Sequence, residues 1–126
     1  MKEILRKLKF NGKIIVINAP YELEREFVQS GCLNSFTTGA KSENTLIFLY
    51  NKSEFIDFMN NQIANIVPDS ICWIAYPKSS PTIKTDINRD ILRSKSEEFG
   101  SKVVSIVSIN ETWSALRLRP INCIGN

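Results

Sequence analysis

Three stretches of this chain are apolar at every position rather than at every second one: Ile14-Ile15-Val16-Ile17, Leu46-Ile47-Phe48-Leu49 and Ile71-Cys72-Trp73-Ile74-Ala75-Tyr76. A strand with one wet face alternates apolar and polar side chains, so an unbroken apolar run needs cover on both faces. Such strands belong to parallel sheets. A parallel connection must cross the sheet, and the crossing chain is long enough to form a helix that covers it. That requirement constrains the fold more than any other feature of the sequence.

The segments between the runs supply the helices. Residues 2–9 place Ile4, Leu5 and Leu8 on one face before Asn11-Gly12 breaks the pattern. Tyr21 to Ser30 carries Leu23, Phe27 and Val28 at helical spacing and closes at Gly31. Asn51 with Glu54 three residues later reads as a capping box, opening a helix through Phe55, Phe58, Met59, Ile63 and Ile66 that stops at Pro68-Asp69. A weak strand is expected over Cys32–Thr37, followed by a polar loop over Thr38–Asn44. After the loop from Pro77 to Thr85, Asp86 is the expected N-cap of a helix that ends at Gly100. Strands are then expected over Val103–Ile109 and Thr112–Arg119, and a link this short permits only a hairpin. The expected architecture is α/β: an open, mostly parallel sheet flanked by helices, with a C-terminal antiparallel hairpin strand, residues 1–126 forming one domain.

Composition narrows the chemistry. There is no histidine, which removes the commonest general base and the commonest metal ligand together. The three cysteines show no C-x-x-C spacing, and Cys32 and Cys72 sit in apolar surroundings as expected buried thiols. No metal site is read from the sequence. The net charge of +3 comes from basic residues that are scattered, apart from Lys2, Arg6, Lys7 and Lys9. A nucleic-acid surface calls for a clustered basic stripe, so the pattern argues against one. No apolar run approaches membrane-spanning length, and a cytoplasmic location is the expectation.

The element order resembles the class I methyltransferase fold, a Rossmann-like fold whose last two strands also form a hairpin. That likeness implies a cofactor turn after the first strand, here Asn18-Ala19-Pro20-Tyr21-Glu22, which has no glycine. The acid that would hold a ribose at the end of the second strand has no clear counterpart near Thr37-Thr38. Asn18-Ala19-Pro20-Tyr21 is also similar to the Asn-Pro-Pro-Tyr motif of amino-group methyltransferases, although that motif follows the fourth strand. Tyr76-Pro77-Lys78, Asp86-Ile87-Asn88-Arg89-Asp90 and Glu111-Thr112-Trp113-Ser114-Ala115-Leu116-Arg117-Leu118-Arg119-Pro120 resemble a family of small bacterial proteins of similar length. This second likeness implies a Rossmann-like fold and no established activity.

Ligands of open parallel sheets lie beyond the carboxyl ends of the strands. Lys78, Thr85, Asp86, Arg89, Trp113 and Ser114 all map to that edge and form the expected ligand-binding set. The helix expected to begin at Asp86 would turn its free N–H groups toward the same space, which suits an anion. Arg89 in a first helical turn opposes the helix dipole and calls for an acid or an anionic ligand. Arg117 and Arg119 alternate with Leu116 and Leu118 and so share one face, where acids such as Asp90, Glu97 or Glu98 are the expected partners. Without a base matched to neutral pH, the functional expectation is a non-catalytic module for a small anion or a partner, with no catalytic residue and no cofactor. Two alternatives stand beside it. One is a divergent methyltransferase-like transferase that holds S-adenosylmethionine over Asn18 to Tyr21, with Asp86 or Glu111 as base. The other is a homodimeric assembly subunit joined through the hairpin edge.

Overall fold

The computed structural model describes residues 1–80 and 85–124. Its elements are α1 (Lys2–Lys7), β1 (Ile15–Ile17), α2 (Tyr21–Gln29), β2 (Ser42–Phe48), α3 (Lys52–Asn60), β3 (Ile66–Pro77), α4 (Arg89–Glu98), β4 (Ser101–Ser108) and β5 (Trp113–Pro120). The strands form one sheet in the order β1-β2-β3-β5-β4. The three apolar runs pair in parallel, with Ile15 opposite Thr45 and Thr45 opposite Cys72. β5 is antiparallel to both of its neighbours, β3 and β4. The sheet is therefore mixed rather than mostly parallel by its ladders. The last strand lies inside it, and β4, the first strand of the hairpin, forms the edge.

Each face of the sheet has its own core. On one face Phe55, Phe58 and Met59 of α3 and Leu92 of α4 cover Ile47, Ile74, Leu116 and Leu118. On the other, Leu8 and Phe27 cover Val16, Leu46, Phe48, Trp73 and Ala115. Trp73 donates its indole N–H to the Leu8 carbonyl at 2.9 Å, which ties the end of α1 to the sheet. Fully burying each of these large side chains contributes about 1.5–3 kcal/mol.

The placement of α2 and α3 on opposite faces has a topological cause. After α2 the chain reaches Leu33, which pairs in parallel with Ile15 along the side of β1 away from β2. The Val16 N–H donates to the Leu33 carbonyl at 2.8 Å, and the Leu33 N–H donates to the Ile14 carbonyl at 2.9 Å. The chain then returns past β1 to β2 and continues through α3 to β3. Right-handed crossovers that run in opposite directions put their helices on opposite faces. The direction of winding thus reverses between β1 and β2. Of the strand expected over Cys32–Thr37, this single bridge remains.

Other departures from the expected elements have local reasons. β2 starts at Ser42, inside the expected polar loop, because its polar side chains find partners indoors. Buried Asn44 accepts from the Asn11 N–H at 3.1 Å and donates to the Lys13 carbonyl at 3.2 Å, while Thr45 donates to Ser42 at 2.7 Å. α3 ends at Asn60, a short 3-10 turn covers Gln62–Asn65, and Ile66 already belongs to β3. Pro68-Asp69 therefore sits within that strand, in the irregular stretch where the ladder passes from Ser42–Ile66 to Asn44–Ile71. Asp69 adopts a φ of 59° there.

Candidate functional site

The carboxyl ends of β3 and β4 and the first turn of α4 enclose a shallow groove of about 340 Å³. β3 carries Tyr76 and Lys78 to it, and β5 carries Ser114, which pairs with Tyr76 across the ladder. α4 contributes Asn88, Arg89 and Asp90, and β4 contributes Ile106. Three of the expected residues, Lys78, Arg89 and Ser114, are thus brought together.

The other three are not. Trp113 precedes Ser114 on the same strand, so the pleat turns it to the opposite face. It is buried there, edge-on to the rings of Phe48 and Tyr50 at centroid distances of 5.0 Å each. Thr85 donates its hydroxyl to the Tyr50 carbonyl at 2.7 Å. Asp86 is not the cap of α4: its carboxylate accepts from the Lys52 N–H at 2.7 Å and so serves the first turn of α3. The cap of α4 is Asn88, whose side chain accepts from the Ile91 N–H at 2.9 Å. Of the polar residues preceding that helix in sequence, Thr82 and Lys84 lie outside the described residues.

Lys78 is fixed at both ends. Its N–H donates to the Thr112 carbonyl at 2.8 Å and its ammonium donates to the Ser108 hydroxyl at 2.7 Å. The hairpin turn that places Thr112 is organised by Asn110, whose side-chain oxygen accepts from the N–H groups of Thr112 and Trp113 at 2.8 Å each. Asn88, Ser108 and Asn110 are positioning residues that the sequence reading missed. The available signal was an asparagine just ahead of an element, which caps by folding its side chain back onto the next N–H groups.

Charge in the groove is predominantly positive. Exposed Arg89 meets the carboxylate of Asp90 at 3.6 Å, a surface pair of little energetic weight. Along α4 an ion pair joins Lys95 and Glu98 at 3.3 Å. Burial pushes the Tyr76 phenol above its ordinary value of 10.0, against the pull of its hydrogen-bond partner Ser114 and of the nearby Arg89 and Arg93 charges. The phenol therefore stays protonated at neutral pH and faces the groove as a hydrogen-bonding group rather than a base. The arrangement suits holding an anion, with cations and hydroxyls converging on a half-open space.

The opposite end of the sheet has a second groove of about 350 Å³, with Met59, Ile63, Phe99 and Leu118 among its lining. At its rim Arg119 grips Asp69, Nε to Oδ1 at 2.7 Å and Nη2 to Oδ2 at 2.9 Å. Asp69, rather than an acid of α4, is thus the partner of Arg119, while Arg117 buries its Nε without a hydrogen-bond partner. Asp69 and Arg119 neutralise each other at this rim, and Lys41 also lines the groove.

Among the described residues no group of acids and cysteines is placed to hold a metal ion, and no helix is long and apolar enough to cross a membrane. No protein-family model and no curated protein matches the chain. Among solved structures it is similar to the crystal structure of a SAM-dependent methyltransferase from Aquifex aeolicus, with a TM-score of 0.49 and 15% identity over 85% of this chain and 68% of that one.

Proposed function

We propose that this chain is a binding module that takes a small anion, such as a phosphate or a phosphorylated metabolite, in the groove between β3, β4 and α4. The observation that supports the reading most directly is the convergence of Lys78, Arg89 and Ser114 from three separate elements on one open space. The first turn of α4 adds the positive end of its dipole. No histidine exists to move a proton, and burial moves the groove's phenol still further above neutral pH. The groove's chemistry is recognition.

Thermal shift and calorimetry with inorganic phosphate, AMP and ATP test the proposal. Binding should raise the melting temperature, and Arg89→Ala should weaken it about tenfold, the loss of one charge-assisted contact worth about 1.4 kcal/mol. An unchanged melting temperature with all three anions at millimolar concentration would sink it.

A second reading rests on a separate observation, the reversal of winding between β1 and β2, since ligands of doubly wound sheets collect at that point. It makes the chain a divergent transferase, with S-adenosylmethionine over Asn18 to Tyr21. Asn18 has a φ of 60° there, and the Tyr50 phenol bridges to its carbonyl at 3.3 Å. Calorimetry with S-adenosylmethionine separates the two readings, because Tyr50→Phe would alter this binding and leave the anion groove untouched.

A further inference from the structure

The outer edge of β4 is built to pair with itself, and we infer that the chain forms a twofold dimer by antiparallel β4–β4′ pairing. Among the described residues the backbone of β4 pairs with β5 alone, which leaves its other side as a row of outward N–H and C=O groups. Its sequence, Ser101-Lys102-Val103-Val104-Ser105-Ile106-Val107-Ser108, contains a single charge and no proline, and it exposes Val104 and Ile106. A long β-branched edge of this kind adheres to other strands unless something covers it.

What covers it follows from which backbone groups point outward. At one end the Gly100 carbonyl accepts from the Ile121 N–H at 2.9 Å; at the other the Ile109 N–H donates to the Trp113 carbonyl at 2.9 Å. In an antiparallel ladder, bonded residues alternate with unbonded ones. Counting inward, Lys102 faces β5 from the first end, and Val107 and Ser105 face it from the second. The ladder shifts register between Val103 and Ser105, so that Val104 and Ser105 together oppose Arg117. The outward set is therefore Ser101, Val103, Ile106 and Ser108.

Without the bulge this set would have a single parity. With it, the set is symmetric about the bond between Val104 and Ser105. A second copy turned about that point meets Ser101 with Ser108′, Val103 with Ile106′, Ile106 with Val103′ and Ser108 with Ser101′. Every outward donor meets an outward acceptor. The side chains agree with this register. Val103 and Ile106 both sit on the α4 side of the sheet, and their pairing covers the exposed Ile106. Each Lys102 faces Val107′, far from its own copy. An unrelated strand would meet no such symmetry, so the edge fits a second copy of this chain.

Sedimentation equilibrium and amide exchange of the unmodified chain, without added ligand, test the inference independently of anion binding. The expected species is a dimer of the 14.4 kDa chain. The amides of Ser101, Val103, Ile106 and Ser108 should gain protection as concentration rises, while other exposed amides do not. Val104→Lys places two cations beside the dyad and should weaken the dimer by at least about tenfold. Adding Ser105→Glu gives each lysine an opposite charge across the dyad and should restore it. A monomer at about 1 mM, where even weak self-association registers, overturns the inference. Free exchange of those four amides in a dimer, or a dimer indifferent to Val104→Lys, overturns it as well.

Discussion

Asp69 and Arg119 are fifty residues apart in sequence and meet in a two-pronged ion pair, with contacts of 2.7 and 2.9 Å. The pair closes the irregular start of β3 against the end of β5. The Arg119 hydrogen bond is the main cause holding the Asp69 carboxyl below its ordinary value of 3.8, and the charges of Arg119 and Arg117 add to it. Because the folded-state value is depressed, the contribution to stability is complete above the unfolded-state pKa of about 3.9 and disappears as pH falls through the lower folded value. Thermal melts between neutral pH and about pH 2 should show this loss in the native chain. Asp69→Asn keeps a residue that tolerates a φ of 59° and removes the charge, so its acid-limb loss should be smaller. Parallel acid limbs for the two proteins would refute the assignment.

Trp113 and Ser114 differ by one position and by one sheet face. Trp113→Ala should cost about 3–5 kcal/mol of stability, the usual consequence of emptying a large buried site. Trp113→Phe should cost less and leave anion affinity in the groove unchanged, because the ring packs on Phe48 and Tyr50 away from it. Denaturant melts paired with calorimetry check both statements. A loss of anion binding in Trp113→Phe without loss of stability would contradict the core assignment.

Asn88 rather than Asp86 caps α4, which a pair of substitutions resolves. Asn88→Ala should destabilise the chain by about 1 kcal/mol through an unmet N–H in the first turn of α4. Asp86→Ala should instead loosen the start of α3, because its acceptor serves the Lys52 N–H. Hydrogen exchange reads the difference, with protection lost at Ile91 in the first variant and at Lys52 in the second.

Thiol reactivity should divide the three cysteines sharply. Burial pushes the Cys72 thiol up to about 12 despite the opposing Arg117 charge, and burial raises the Cys32 thiol too. Cys123 is exposed. At pH 8 a disulfide reagent should label Cys123 rapidly in the native chain and reach the others only on unfolding, since the thiolate is the reacting species. Rapid labelling of Cys72 in folded protein would show that its side of the core opens.

Features whose causes are local were legible in the chain. Continuous apolar runs pointed to the three strands that pair in parallel, because such runs need cover on both faces. Asn51 with Glu54 marked the start of α3, where Asn51 accepts from the Glu54 N–H at 2.9 Å. The short link after Ile109 permitted only a hairpin. The buried states of Cys32 and Cys72 were equally legible.

Whatever depends on which distant group arrives was settled only in the folded chain. Asp86 has two helix starts within reach, and packing gave it to α3. Polar Ser42 and Asn44 read as loop until buried partners from other segments made them strand. The hairpin's last strand lies inside the sheet, paired with β3, and leaves β4 at the edge. Trp113 and Ser114 looked like one signature because sequence proximity hides the pleat, which alternates side chains across the sheet. Period and capping act over a few residues and are written in the chain, whereas partner choice acts across dozens and exists only once the chain has folded.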